Sequence, residues 1–251
     1  MVNSVLRFSV TPRNRLAVAG MLAACAFGGA AYAGNVEPVP ADPVVVAAYP
    51  SWQGFYVGGS AGFAFGADDR VGHRDPSGVL VTPRAGDLDN EGFTYGAQLG
   101  WRGERESRGR SFVYGVELGY DRIDAGESFA NGTYTASTDL NGVLGVRFKS
   151  GFTSKSRNTL LYGILGYVHG DFDYALNGTA GGDTIALNTS FDSGGYSLGL
   201  GVEHLLSESW SVNAEWEYYD FGSKTLFDAD GSSTIATPKY NNIQVGLNFR
   251  F

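Results

Sequence analysis

From Gly54 to the carboxyl terminus the chain repeats one pattern: apolar or aromatic residues at every second position, with small or polar residues between them. Side chains alternate across an extended strand with period two, so each such run has an oily face and a wet face. The last run is the clearest. Ile243, Val245, Leu247, Phe249 and Phe251 share one face; Asn242, Gln244, Gly246, Asn248 and Arg250 share the other. Seven earlier runs precede it. Residues 54–65 align Phe55, Val57, Ala61, Phe63 and Phe65, and residues 92–102 set Phe93, Tyr95, Ala97, Leu99 and Trp101 against Thr94, Gly96, Gln98, Gly100 and Arg102. Residues 111–121 set Phe112, Tyr114, Val116, Leu118 and Tyr120 against Val113, Gly115, Glu117, Gly119 and Asp121. Residues 135–148 place Leu140, Leu144, Val146 and Phe148 opposite Asp139, Asn141, Gly145 and Arg147. Residues 159–170 leave the register open, because Leu160, Leu161, Ile164, Leu165 and Val168 populate both faces. Residues 195–204 alternate Tyr196, Leu198, Leu200 and Val202 with Ser197, Gly199, Gly201 and Glu203; residues 210–221 alternate Val212, Ala214, Trp216 and Tyr218 with Asn213, Glu215, Glu217 and Tyr219.

Each run has about ten residues, the length of a tilted crossing of a thin membrane. The connections alternate. Residues 103–110, 149–158 and 205–209 are short and polar, whereas 66–91, 122–134, 171–194 and 222–239 are longer and rich in Gly, Asp, Ser and Thr. Short turns on one side and long loops on the other predict an all-β fold, an eight-stranded antiparallel transmembrane β-barrel of outer-membrane type with both ends on the periplasmic side. A soluble lipocalin-like barrel is the alternative, and it would turn the aromatic faces inward.

The start of the chain agrees with export. Arg7, Arg13 and Arg15 precede an apolar run from Leu16 to Phe27, no acid occurs before Glu37, and Ala31-Tyr32-Ala33 follows. A positive segment, a short apolar segment and an A-x-A site predict a signal peptide over 1–33, cleaved after Ala33. Leu22-Ala23-Ala24-Cys25 also fits a lipobox, which would lipidate Cys25 instead. Pro38, Pro40, Pro43 and Pro50 mark residues 34–51 as an extended periplasmic spacer, with the barrel domain over 52–251.

Cleavage takes three arginines from a formal net charge of −8, leaving −11. Nucleic acid, which needs clustered Lys and Arg, is thereby excluded as a partner. Cys25 is the lone cysteine, so its removal also excludes disulfide, thiol and iron–sulfur chemistry. Glycine (37 residues) and aromatic residues (14%) are abundant, as a crowded interior and aromatic girdles require.

Three segments carry a family resemblance. Trp52-Gln53-Gly54-Phe55-Tyr56-Val57-Gly58-Gly59 resembles the opening of the small alphaproteobacterial outer-membrane porin or immunogenic outer-membrane protein family. Gly199-Leu200-Gly201-Val202-Glu203 and the core Glu215-Trp216-Glu217-Tyr218-Tyr219-Asp220-Phe221-Gly222 resemble its penultimate hairpin, and Gly246-Leu247-Asn248-Phe249-Arg250-Phe251 is similar to its ending. The resemblance implies a barrel related to the OmpA transmembrane domain and a last strand, ending in Phe249 and Phe251, that acts as the assembly signal read by the outer-membrane assembly machinery. It matches no peptidoglycan-binding domain, so wall anchoring is not implied, and it covers the long segment 66–91 poorly.

Under these registers Arg102, Glu117, Asp139, Arg147, Glu203, Glu215, Glu217 and Arg250 point into the lumen. Eight strands leave an interior just wide enough for side chains to fill. The charges are therefore expected to pair in a polar plug. The alternative is a narrow pore, cation-preferring because carboxylates outnumber arginines. Trp52, Trp101, Trp210 and Trp216 are expected at the membrane interface on the lipid face. His169-Gly170-Asp171 is the nearest local pairing that a lipid-modifying enzyme would need, but no zinc, thiol or serine-hydrolase motif occurs, and the chain is expected to be neither an enzyme nor a holder of cofactors. Asn131-Gly132-Thr133 and Asn177-Gly178-Thr179 read as turns. The expected partners are outer-membrane lipid and lipopolysaccharide, with host or surface ligands at the loops. The expected role is structural and surface-exposed.

Overall fold

Twelve strands are present among the described residues, and eight of them close on themselves. The computed structural model describes residues 50–66, 68–89, 91–107 and 109–251. The signal segment with Cys25, Ala31 and Ala33, and the spacer up to residue 49, lie outside the described residues. In chain order the strands are β1 (Gly54–Phe65), β2 (Asp68–Arg74), β3 (Leu80–Asp89), β4 (Gly92–Ser107), β5 (Arg110–Ala130), β6 (Tyr134–Thr153), β7 (Thr159–Ala180), β8 (Asp183–Leu205), β9 (Trp210–Asp220), β10 (Lys224–Phe227), β11 (Ser233–Ala236) and β12 (Lys239–Arg250). The closed barrel runs β1-β12-β9-β8-β7-β6-β5-β4, every pair antiparallel. The remaining four form a separate sheet in the order β10-β11-β2-β3. No helix occurs among the described residues.

The outer wall carries the oily faces. Phe55, Leu99, Trp101, Val116, Leu118, Phe148, Leu165, Leu200, Trp216 and Val245 are all exposed there. Such a band on a soluble protein would be an aggregation surface; around a closed barrel it is the lipid contact. The 159–170 register resolves the same way: Leu160, Ile164 and Val168 are buried inside, while Leu161 and Leu165 face out.

Of the four long segments expected as loops, 66–91 and 171–194 are strands for most of their length, 222–239 is strand over half of its length, and 122–134 extends the β5–β6 hairpin. β5 to β8 run 20 to 23 residues each, about twice β9. Beyond Leu144 and Tyr167 the two faces exchange character. The outer wall becomes polar with Asp139, Asp171 and Thr135, while Val143, Phe172, Tyr174, Leu176, Ile185 and Leu187 are buried inside. This second core includes Val71 and Leu88 from the inner face of the small sheet and the stacked pair Tyr219–Tyr240, 4.5 Å apart. The small sheet is also held by polar contacts. Buried His73 reaches the Tyr134 hydroxyl and Asp183 Oδ2, each at 2.9 Å. Thr237 donates both its amide (2.9 Å) and its hydroxyl (2.6 Å) to Asp69. Burial pushes the Asp69 carboxyl above its usual range, and the two Thr237 bonds oppose that rise. Asn131-Gly132-Thr133 is a turn, with Asn131 Oδ1 accepting from two amides and Gly132 at φ 82°. Asn177-Gly178-Thr179 is not: it lies within β7, and the chain reverses at Gly181 and Gly182, both at positive φ.

Candidate functional site: the charged barrel interior

The wet faces meet inside the membrane-spanning half, and their charges are arranged in tiers. Nearest the short turns, the Arg102 guanidinium donates two parallel bonds to Glu203, at 2.9 and 2.7 Å. Asn248 also donates to Glu203 (3.2 Å) and in turn accepts from Gln98 (3.0 Å). The guanidinium lies 4.1 Å from the centre of the Tyr56 ring, a planar cation on a π face. In the next tier Lys149 Nζ sits between two acids, 2.9 Å from Glu117 Oε2 and 2.7 Å from Glu215 Oε1. Tyr56 donates to Glu117 (2.7 Å), and Gln244 donates to the other Glu215 oxygen (2.9 Å). Above it Arg147 donates to Asp121 (2.6 Å), to Glu217 (3.2 Å) and to the Tyr219 hydroxyl (2.9 Å).

Inward glycines make room for these side chains. A Cβ at Gly119 would fall on Arg147 Nη1, and one at Gly96 on Asp121 Oδ1. The cavity lined by Tyr56, Arg102, Lys149 and Tyr162 has a volume of about 10 Å³, room for a single water.

Among the described residues the interior holds five buried carboxylates (Glu117, Asp121, Glu203, Glu215, Glu217) and three buried cations (Arg102, Arg147, Lys149). Glu217 Oε2 and Ser197 Oγ are buried without a hydrogen-bond partner.

Comparison with known proteins places this architecture. The model of the outer membrane protein beta-barrel domain matches residues 20–251. The chain belongs to that family. A 31 kDa outer-membrane immunogenic protein of Brucella melitensis is 30% identical over 247 residues, covering 91% of this chain and 96% of that protein. A 22 kDa outer membrane protein of Rhizobium leguminosarum bv. viciae is 28% identical over 208 residues, 80% of this chain and 79% of the other. Among solved structures the outer membrane protein OprG of Pseudomonas aeruginosa has a TM-score of 0.47 and 12% identity, covering 79% of this chain and 96% of that one. This family member is therefore an outer-membrane protein. Short turns of such barrels face the periplasm and long hairpins face outward, so the charged tiers lie at membrane depth and the small sheet caps the extracellular end.

Three sequence expectations need correction. Asp139 does not enter the lumen but is exposed on the outer wall. Asp139 shares the parity of Arg147, but the β6–β7 register shifts between Leu140 and Gly142 and inverts it, so that Leu140 is inside and Asp139 is out. Trp52 is not on the lipid face. It is fully buried in the periplasmic mouth, its indole N–H donating to the Arg157 carbonyl at 2.8 Å. Arg250 sits at the periplasmic rim, half-buried, donating to the backbone carbonyls of Ser51 and Glu208. Trp101, Trp210 and Trp216 are exposed on the outer wall, as are Phe249 and Phe251.

Two further residues complete the network. Lys149 lies in the segment 149–158 expected as a turn, yet β6 continues to Thr153. The parity of Lys149 with Arg147, two residues back on one strand, was the available signal. Asp121 shares parity with Glu117 in the same way. His169 stands on the outer wall, its Nε2 3.6 Å from Asp192 Oδ2.

Proposed function

We propose that this is a closed outer-membrane barrel with a structural and surface-directed role, its lumen plugged by the charged tiers and its capped extracellular end presented to the surroundings. The observation that carries this reading is the position of Lys149, whose ammonium joins Glu117 on β5 to Glu215 on β9 across the bore. A second cross-bore pair, Arg102 with Glu203, stands beneath it, and the apolar core of the cap lies above. Opening such a stack would separate several hydrogen-bonded charges at once, each separation carrying a desolvation penalty. Lipopolysaccharide around the cap and the assembly machinery at the last strand are the partners this role entails.

The test is planar-bilayer conductance of the refolded chain, with heat-modifiable gel migration to show that the barrel is formed. A plugged lumen gives folded protein without sustained open steps. Stable steps with cation preference would instead support a pore, the second reading, which the surplus of two carboxylates favours.

A further inference from the structure

The outer face of the cap sheet carries a cleft unrelated to the lumen. On β2, Val71 and His73 are buried toward the barrel, so alternation sends Arg70, Gly72 and Arg74 outward. Arg74 lies opposite Leu80 on β3 and opposite Ser233 on β11. The resulting cleft has a volume of about 160 Å³ and is lined by Arg70, Gly72, Arg74, Leu80, Pro83 and Ile235. Its floor is Gly72. A Cβ there would meet only ordinary contacts, with Thr82 O at 3.5 Å and Leu80 Cδ1 at 4.0 Å. Neither packing nor backbone angle requires glycine at this position, and a side chain would occupy the cleft instead.

Charge favours an anion there. Arg70, Arg74 and Arg84 outnumber the two acids beside them, Asp75 and Asp87, of which Asp75 and one oxygen of Asp87 are hydrogen-bonded while Asp87 Oδ1 is buried without a hydrogen-bond partner. Asp75 Oδ1 accepts from the Ser77 hydroxyl (2.6 Å), the Ser77 amide (2.9 Å) and the Val79 amide (2.9 Å). Asp87, opposite Arg70, is bonded by Arg84 Nε at 2.9 Å. Arg74 spends one donor on the Gly78 carbonyl (3.2 Å), which fixes its guanidinium and leaves other donors of the fork.

Height excludes the lipid headgroups as the source. Tyr134, which holds His73, stands ten residues beyond Leu144, the last exposed apolar residue of the β6 outer wall. At about 3.3 Å per residue and a tilt near 40°, the cleft lies roughly 25 Å above the hydrocarbon edge. The headgroup layer is only about 5–8 Å thick.

We propose that this cleft binds one carboxylated sugar unit of an extracellular acidic polysaccharide. The carboxylate would sit between the Arg70 and Arg74 guanidinium groups, whose planar forks suit it. The C–H face of the ring would lie over Gly72, against Leu80 and Ile235. The proposal rests on the outward placement of the cap and is indifferent to whether the lumen conducts.

The probe is a fluorescent tetragalacturonate titrated onto the full folded chain in detergent, with maltotetraose and inorganic phosphate as competitors. Tetragalacturonate binds, and neither competitor displaces it at equal concentration. Gly72→Leu, which fills the floor and leaves every charge in place, weakens binding at least about tenfold, as does Arg70→Gln or Arg74→Gln. Heat-modifiable migration of each variant shows that its barrel is formed; if an arginine variant fails to fold, Gly72→Leu decides alone. Unchanged affinity in Gly72→Leu would reveal general electrostatic attraction and overturn the assignment. Displacement by maltotetraose or by phosphate, or no binding at millimolar concentration, would do so equally. Labelling of Ser77→Cys on intact cells by an impermeant maleimide tests the outward placement separately.

Discussion

Replacing Lys149 by Met removes one charge and little volume, which isolates the electrostatic share of the lumen network. In the native barrel Lys149 Nζ lies 2.8 Å from Glu117 Oε1 and 2.7 Å from Glu215 Oε1. Without it two carboxylates face each other across the bore, and the buried charge moves from −2 to −3, since Arg102 and Arg147 would be left against five acids. Breaking a buried pair from one side costs about 3–5 kcal/mol. Uptake of one proton sets a ceiling on that cost. For a carboxyl of ordinary affinity, near 4.3, protonation at pH 7 costs about 3.7 kcal/mol, and at pH 5 only about 1 kcal/mol. Lys149→Met should therefore lose about 3–4 kcal/mol at pH 7 and about 1 kcal/mol at pH 5. Adding Glu215→Gln should restore most of the loss at neutral pH, because the remaining Glu117 then faces no second acid and keeps Arg147 Nη1 at 3.7 Å and the Tyr56 hydroxyl at 2.7 Å. Reversible guanidinium unfolding in lipid vesicles, followed by tryptophan fluorescence at both pH values, measures all three variants. A deficit that is the same at pH 5 and pH 7, or no deficit at all, would refute the electrostatic account and leave packing as the role of Lys149.

Two other outcomes are expected. Trp52→Ala should cost about 3–5 kcal/mol, the loss for emptying a fully buried aromatic site; the same unfolding assay measures it, and a loss below about 1 kcal/mol would place Trp52 outside the packed mouth. Asp69→Asn should steady the cap at neutral pH. Burial raises the Asp69 carboxyl, so the folded cap holds the proton more tightly than the unfolded chain does. Ionisation then weakens the cap as pH rises through the raised value, and the cap recovers as pH falls toward the ordinary carboxylate range. Hydrogen exchange over 68–74 and 233–240 should show that pH dependence in the native chain and lose it in the variant, and equal dependence in both would be contrary evidence.

The spanning half was legible because its constraint is simple. Lipid outside and side chains inside force strict alternation, and runs such as 243–251 and 92–102 display it without interruption. The pattern breaks where a second constraint intervenes. At Leu140 the apolar core of the cap claims a leucine for the interior, and a register shift takes up the conflict, which moved Asp139 to the outer wall. Residue type alone puts Trp52 at the lipid interface, yet it lies before β1 begins and folds into the mouth. The Gly, Asp, Ser and Thr content of the cap points to loops. The alternations Asp69-Val71-His73 and Phe172-Tyr174-Leu176 were present, but they place apolar residues on the face that is polar lower down. The pairing of β11 with β2 joins segments more than 150 residues apart, and no local pattern encodes it.

That pairing has an immunological consequence. The outermost surface is a mosaic: exposed Phe227 and Ile235 come from one stretch of the polypeptide, exposed Arg70 and Leu80 from a distant one, and the β11–β2 pairing joins them. An antibody raised against the native surface reads a shape that no single linear peptide contains. Boiling should erase such an epitope, and peptides copied from either stretch alone would be poor immunogens for it.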